Sequence, residues 1–184
     1  MACLFIPETY QVYWDMSVED FFKRMRKEHQ RFWNQKRLDQ AKAIGMTPEE
    51  VCTLASIVEE ETNNNPEIPM VAGLYINRLH AGRPLQADPT VKFALQDFGL
   101  RRSTNDHLTI DSPYNTYRNP GLPPGPIRIP SPVGLDAVLN HAKHNYIYMC
   151  AKEDFSGTHN FASNYADHMK NARKYWKALH ERKI

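Results

Sequence analysis

Residues 47–62, "TPEEVCTLASIVEEET", open on the clearest helix start in the chain and close on three consecutive carboxylates. Thr47 and Glu50 stand at the spacing of a reciprocal capping box, and Pro48 takes the first helical position, where a missing N–H costs nothing. Val51, Leu54, Ala55 and Val58 recur at i, i+3, i+4 and i+7, the pattern of an amphipathic helix, and "NNNP" at 63–66 ends it. An α-helix turns about 100° per residue, so relative to Val51 the three acids fall at about 80° (Glu59), about 180° (Glu60) and about −80° (Glu61). Glu60 therefore points to solvent, Glu59 lies on the margin, and Glu61 shares the apolar stripe with Leu54, Ile57 and Val58. A carboxyl group beside apolar side chains ionises reluctantly, so its pKa rises and it holds a proton that it can donate near neutral pH. The competing reading is a frayed helix end with Glu61 turned outward. Negative charge at a helix C-terminus opposes the dipole by a few tenths to about 1 kcal/mol per carboxylate, which favours a functional reason for at least one of the three.

On the N-terminal side, residues 3–14, "CLFIPETYQVYW", are rich in aromatic and β-branched residues and read as one or two strands interrupted at Pro7. Ser17 opens a helix through a Ser-x-x-Asp cap, and the charged stretch "NQKRLDQAKAIG" continues it to Gly45. On the C-terminal side, "EIPMVAGLYINRLHA" (67–81) is helical with Gly82 as its stop, and "LQADPTVKFAL" (85–95) fits either a strand or a short helix. Residues 96–132 read mostly as loop. Seven of the thirteen prolines fall between 113 and 132, which makes that stretch stiff. A short helix near 133–144, a buried strand at 146–151 and a basic amphipathic helix at 163–183 complete an α+β pattern, mainly helical with a few short strands.

With 184 residues, 41% of them hydrophobic, the chain can build one sizeable core, or a main domain with a small appendage. The 23 basic and 21 acidic residues nearly balance, which argues against a nucleic-acid or membrane-surface protein. No apolar run reaches the ~18 residues of a membrane span, and no signal-peptide pattern is visible. The abrupt start in strand-like sequence suggests a segment, residues 1–14, leading in from a longer protein to a domain over 15–184. Cys3, Cys52 and Cys150 are odd in number, distant in sequence and without CxxC spacing, so they form neither a zinc set nor a disulfide framework.

Other residue groups suit a polar ligand. If "LQADPT" is extended, Gln86, Asp88 and Thr90 share one face and offer an amide, a carboxylate and a hydroxyl to sugar hydroxyls; the alternative is an Asp-Pro turn. Tyr114, Asn115, Thr116 and Tyr117 sit in the Pro-rich loop, where aromatic faces could stack on sugar rings and Asn115 could donate and accept. His159, in "GTHNF", lies next to a predicted strand end. Its spacing to His168 matches no standard metal site, so no metal is expected. The chain has neither a GxSxG elbow nor a Gly-rich phosphate loop.

The ordered strings "LASIVEEET", "VAGLYINRL", "LQADPTV", "SPYNTYRNPGLPPGPI" and "GTHNF", spread over residues 51–170 and preceded by "FIPETY", closely resemble the YceG-like family of endolytic murein lytic transglycosylases. The resemblance implies that the glutamate before the threonine of the V-E-x-E-T motif, Glu61 here, is the catalytic acid; the middle position, often Lys in relatives, is Glu60. It implies a longer parent with an N-terminal membrane helix and a LysM-like module, holding a lysozyme-like catalytic domain on the outer side of the bacterial cytoplasmic membrane. It also implies peptidoglycan strands as substrate, cell-wall synthases as possible partners, and termination of nascent strands as the role. No cofactor is expected. An older family label, aminodeoxychorismate lyase, requires a Schiff-base lysine in a cofactor pocket, and the nearest candidate, Lys92, lacks an apolar setting.

The reaction implied is cleavage of the β-1,4 bond between N-acetylmuramic acid and N-acetylglucosamine. One carboxyl group protonates the leaving oxygen and then deprotonates the muramoyl C6 hydroxyl, which closes a 1,6-anhydro ring. Two alternatives remain at this point: a lysozyme-like hydrolase in which Asp88 or Glu59 activates water, and a non-catalytic peptidoglycan-binding module.

Overall fold

The computed structural model describes residues 2–100 and 104–182. A 3-10 turn at Ala2–Leu4 leads to helices α1 (Val18–Phe32), α2 (Gln35–Ala43), α3 (Pro48–Glu61), α4 (Ile68–His80) and α5 (Asp88–Leu95). After the long loop come α6 (Pro132–Leu139), strands β1 (Tyr148–Ala151) and β2 (His159–Ala162), and α7 (Tyr165–Glu181). The fold is α+β: a helical core plus one antiparallel hairpin, with Tyr148 opposite Ala162 and Ala151 opposite His159.

The capping box forms as the spacing predicts: the Thr47 N–H donates to Glu50 Oε2 at 2.8 Å, and the Glu50 N–H donates to Thr47 Oγ1 at 3.2 Å. The helix it starts is not amphipathic. Every residue from Val51 to Val58 is buried, because α4, α5, α6, α2 and the N-terminal turn pack around α3. A helix enclosed on all sides is apolar all round, and its two polar members bond inward: Thr53 donates to the Glu49 carbonyl at 2.9 Å and Ser56 to the Thr53 carbonyl at 2.7 Å. Leu54, Ile57 and Val58 meet Val71, Leu74 and Ile76 of α4 and Leu135 and Val138 of α6 in one continuous core.

Three further sequence expectations change. Residues 3–14 form no strand; the hairpin is the sole sheet among the described residues, so nothing pairs with them. Instead Ile6 inserts into the core and Cys3 packs against it, while Tyr13 and Trp14 stay exposed. The Cys3 and Cys52 thiols, far apart in sequence, interact, and the interaction lowers the pKa of Cys3 and raises that of Cys52. The helix from Ser17 does not run to Gly45: it breaks at Trp33, and Asn34 caps α2 by accepting from the Arg37 N–H at 3.1 Å. Residues 148–151 are half-buried rather than enclosed, because the hairpin lies at the rim of the core with α7 laid against it.

Gly73 in α4 permits a close approach of the chain around Ala142 and His144. A Cβ there would lie 2.4 Å from the Ala142 carbonyl oxygen and 2.7 Å from His144 Nε2. Gly73→Ala should therefore destabilise by about 1–3 kcal/mol despite alanine's better helix propensity, read as a fall in thermal midpoint.

Candidate active site

Glu61 is the last residue of α3, where the enclosed helix emerges at the protein surface. Its Oε1 accepts from the Tyr75 hydroxyl at 2.6 Å, and Tyr75 is itself fully buried one helix away in α4. Among the described residues Oε2 takes no hydrogen bond, yet it is not sealed from solvent. Burial raises the carboxyl pKa to about 7; the Tyr75 hydrogen bond pulls it down, nearby Asp88 pushes it up, and His159 and Lys92 pull it down. The carboxyl can therefore hold a transferable proton near neutral pH, on a group whose rotamer Tyr75 fixes. Burial and the neighbouring Glu61 carboxylate raise the Tyr75 hydroxyl well above its ordinary value, so it remains a donor.

Asp88 is the first residue of α5, and its Oδ1 accepts a short hydrogen bond from the Tyr117 hydroxyl. Burial and Asp88 raise the Tyr117 pKa strongly, so this phenol also stays protonated. Glu61 and Asp88 thus each accept from a tyrosine hydroxyl, and Asp88 acts on Glu61 through its charge.

A third unit lies on the other flank. Glu67, buried before α4, accepts from the Thr62 hydroxyl at 2.9 Å, from the His159 N–H at 2.7 Å and meets His159 Nδ1 at 2.9 Å. Thr62 follows Glu61 directly, so Glu67 ties the end of α3 to the first residue of β2.

A sequence model of the YceG-like family matches residues 1–174. The chain belongs to the YceG-like family. It is 34% identical over 168 residues to a Bacillus subtilis protein named endolytic murein transglycosylase, covering 91% of this chain and 46% of that one. It is 33% identical to a Streptococcus pneumoniae protein of the same name, over 73% of this chain and 25% of the relative. Among solved structures, a yceG-like protein of Listeria monocytogenes matches with a TM-score of 0.78 and 34% identity, over 91% of this chain and 54% of that one. The chain therefore spans half or less of the length of these curated relatives.

Within this YceG-like domain the residues expected at the site divide. Gln86, Asp88 and Thr90 do not share a strand face, because Asp88 begins a helix. Gln86 adopts a left-handed backbone (φ 54°) and accepts from Arg78 at 2.7 Å, facing away from the core. Thr90 is buried and meets the Thr116 hydroxyl at 2.8 Å, and Thr116 also accepts from the Ala87 N–H at 3.0 Å. Asn115 is fully buried: its amide donates at 2.9 Å to the carbonyls of both Leu108 and Ile110, and its oxygen accepts from the Tyr117 N–H at 3.0 Å. Asn115, Thr116 and Thr90 thus hold the Pro-rich loop against α5 and set where Tyr117 stands, instead of presenting polar edges outward. Tyr114 packs on Phe93, 4.8 Å between ring centres, and lines a groove with Thr53 and Glu49, two or more turns up α3 from Glu61.

His159 lies on β2 itself and joins the site through Glu67; His168 is stacked on Tyr148 instead. Among the described residues no three His, Cys, Asp or Glu side chains are grouped to hold a metal. Tyr75 and Glu67 escaped the sequence reading. Tyr75 sits fourteen residues beyond Glu61 on a second helix, and only the tertiary pairing of α3 with α4 brings them together.

The other two glutamates have different tasks. Glu60 is exposed and pairs with Arg128 at 2.8 Å. Glu59, with its side chain 9% exposed, accepts from the Ser131 N–H at 3.1 Å and from the Ser131 hydroxyl, at the N-terminus of α6. Its negative charge there complements the positive end of the helix dipole.

Proposed function

We propose that this YceG-like domain is a lytic transglycosylase of murein, cutting the muramoyl–glucosaminyl bond within strands and leaving a 1,6-anhydro end. The supporting observation is the state of Glu61: a carboxyl group with pKa about 7, one oxygen fixed by Tyr75 and the other open. Protonated, it donates to the glycosidic oxygen as the bond breaks; ionised, it accepts the proton of the muramoyl C6 hydroxyl as that oxygen attacks C1. A single group with a pKa near the working pH suits both steps. The names of the relatives agree with this reading. It places the reaction outside the cytoplasmic membrane, where murein is assembled, and strand termination would follow from internal cleavage. Among the described residues no helix is long and apolar enough to cross a membrane.

Hydrolysis would need a second carboxylate free to activate water. Glu59 is committed to Ser131, which leaves Asp88, bound to Tyr117 through one oxygen, as the carboxylate a hydrolase would use. Mass spectrometry of digested purified murein strands distinguishes the outcomes. Anhydro-muramoyl ends, lighter by one water, are expected; reducing ends in their place would establish a hydrolase, and uncut strands would leave a binding module.

A further inference from the structure

Arg78, on α4 one turn beyond Tyr75, is 6% exposed and carries a charge that no carboxylate among the described residues balances. Its neighbours are neutral: the Pro84 carbonyl at 2.8 and 2.9 Å, the Ile147 carbonyl at 2.7 Å and Gln86 Oε1 at 2.7 Å. These bonds use four of the five guanidinium N–H groups. A buried guanidinium with no counter-ion is costly, and proteins normally supply an acid.

The arginine lines a cavity of about 220 Å³ together with Gln86, Tyr148 and His168. His168 supplies an independent sign of an absent partner: its Nδ1 is the buried side-chain polar atom that finds no hydrogen bond among the described residues. Arg83 adds further positive charge at the rim, donating to the Tyr148 hydroxyl at 3.3 Å. Tyr75 and Tyr117 also line the cavity, while their hydroxyls reach Glu61 and Asp88. The cavity therefore adjoins the reacting centre, is lined by Arg78 and His168, and has no acid among its described lining residues.

We propose that this cavity is a subsite for a carboxylate of the murein strand, received by Arg78 and His168. The proposal rests on the murein reading of Glu61 and adds to it the part of the substrate that is recognised beside the cut bond. Two sources carry the same chemistry: the lactyl carboxylate of a muramoyl residue without peptide, and a free carboxylate of a stem peptide.

The test measures binding in the Glu61→Gln protein, so that no turnover intervenes, using three soluble murein fragments of equal glycan length. One bears free lactyl carboxylates, one has them amidated, and one carries stem peptides with free carboxylates. At least one carboxylate-bearing fragment should bind roughly tenfold tighter than the amidated one, as for a charge-assisted hydrogen bond at a buried cation. The tighter of the two identifies the source.

Gln86→Glu keeps the side-chain shape and places an acid against Arg78. It should raise the thermal midpoint while bringing the binding ratio to about one. His168→Phe should lower the ratio at an unchanged midpoint. A ratio near one in the Glu61→Gln protein, no binding of either carboxylate-bearing fragment, or a ratio that Gln86→Glu leaves intact would overturn the subsite. The enzyme reading fails separately, through the products released by the unsubstituted chain.

Discussion

Glu61→Gln should abolish cleavage of murein strands and at the same time make the domain more stable at neutral and alkaline pH. The amide keeps the shape and can still accept from the Tyr75 hydroxyl, but it cannot carry a proton in either direction. Loss of one acid–base group typically costs ~10²–10⁴-fold, and here one group serves two transfers, so the upper end is expected. The stability gain follows from the raised pKa. Below about pH 4.5 Glu61 is protonated in both folded and unfolded chains and contributes no difference. Between there and about 7 the unfolded chain releases its proton while the folded one retains it, so stability falls as pH rises. Above 7 the folded protein bears the full cost of a buried carboxylate, on the order of 1–3 kcal/mol, which glutamine removes. Thermal midpoints of the two proteins should coincide near pH 4 and separate by several degrees at pH 8. In the unsubstituted protein, cleavage should fall off on the alkaline side as Glu61 ionises. Near wild-type turnover in the variant would remove Glu61 from the mechanism, and parallel midpoints at every pH would mean that the raised pKa belongs elsewhere.

What the sequence discloses about this site is what one helix can disclose. The capping box, the end of α3 and the different facing of three adjacent glutamates are local consequences of spacing, and Glu61 emerges where the enclosed helix reaches the surface. The partners were not legible in the same way. Tyr75 and Glu67 are joined to Glu61 and His159 by tertiary contacts, and nothing in their own neighbourhoods distinguishes them from an ordinary core tyrosine or a helix-start acid. Asn115 was misread for a related reason. An asparagine in a Pro-rich loop looks available, but a long loop packed on a core must satisfy its own backbone carbonyls, and a buried amide does so. The 3–14 segment has strand composition without a strand, since extended propensity becomes structure only where a sheet offers an edge.

Glu59→Ala should be the most damaging of the single changes to stability among the three glutamates, and the least explained by catalysis. Its carboxylate binds the Ser131 N–H and hydroxyl where the Pro-rich loop turns into α6, with Arg128 Nε at 3.8 Å. Removing it strips a charge-assisted acceptor from a partly buried N–H and from the cap of α6, a loss of about 2–4 kcal/mol. At 2–4 °C per kcal/mol for a domain of this size, the midpoint should fall by roughly 5–15 °C. Turnover per folded molecule should remain above the ~10²-fold loss that marks an acid–base group. Glu60→Lys serves as the contrast: it exchanges an exposed pair with Arg128 for a repulsion, partly offset at the helix C-terminus, and should stay within about 0.5 kcal/mol. A second substitution makes the role of Glu59 specific. A Cβ at Gly134 would lie 2.5 Å from Glu59 Oε1, so Gly134→Ala in the otherwise unchanged protein must displace the carboxylate from Ser131. With Glu59 already alanine that obstacle is gone, and Gly134→Ala should be neutral or should stabilise by up to about 1 kcal/mol, as expected in a helix. The two changes should therefore be strongly non-additive in denaturant unfolding, with a coupling of about 1–3 kcal/mol. Additive losses would mean that Glu59 does not hold α6 in place, and would return it to consideration as a second carboxylate for the reaction.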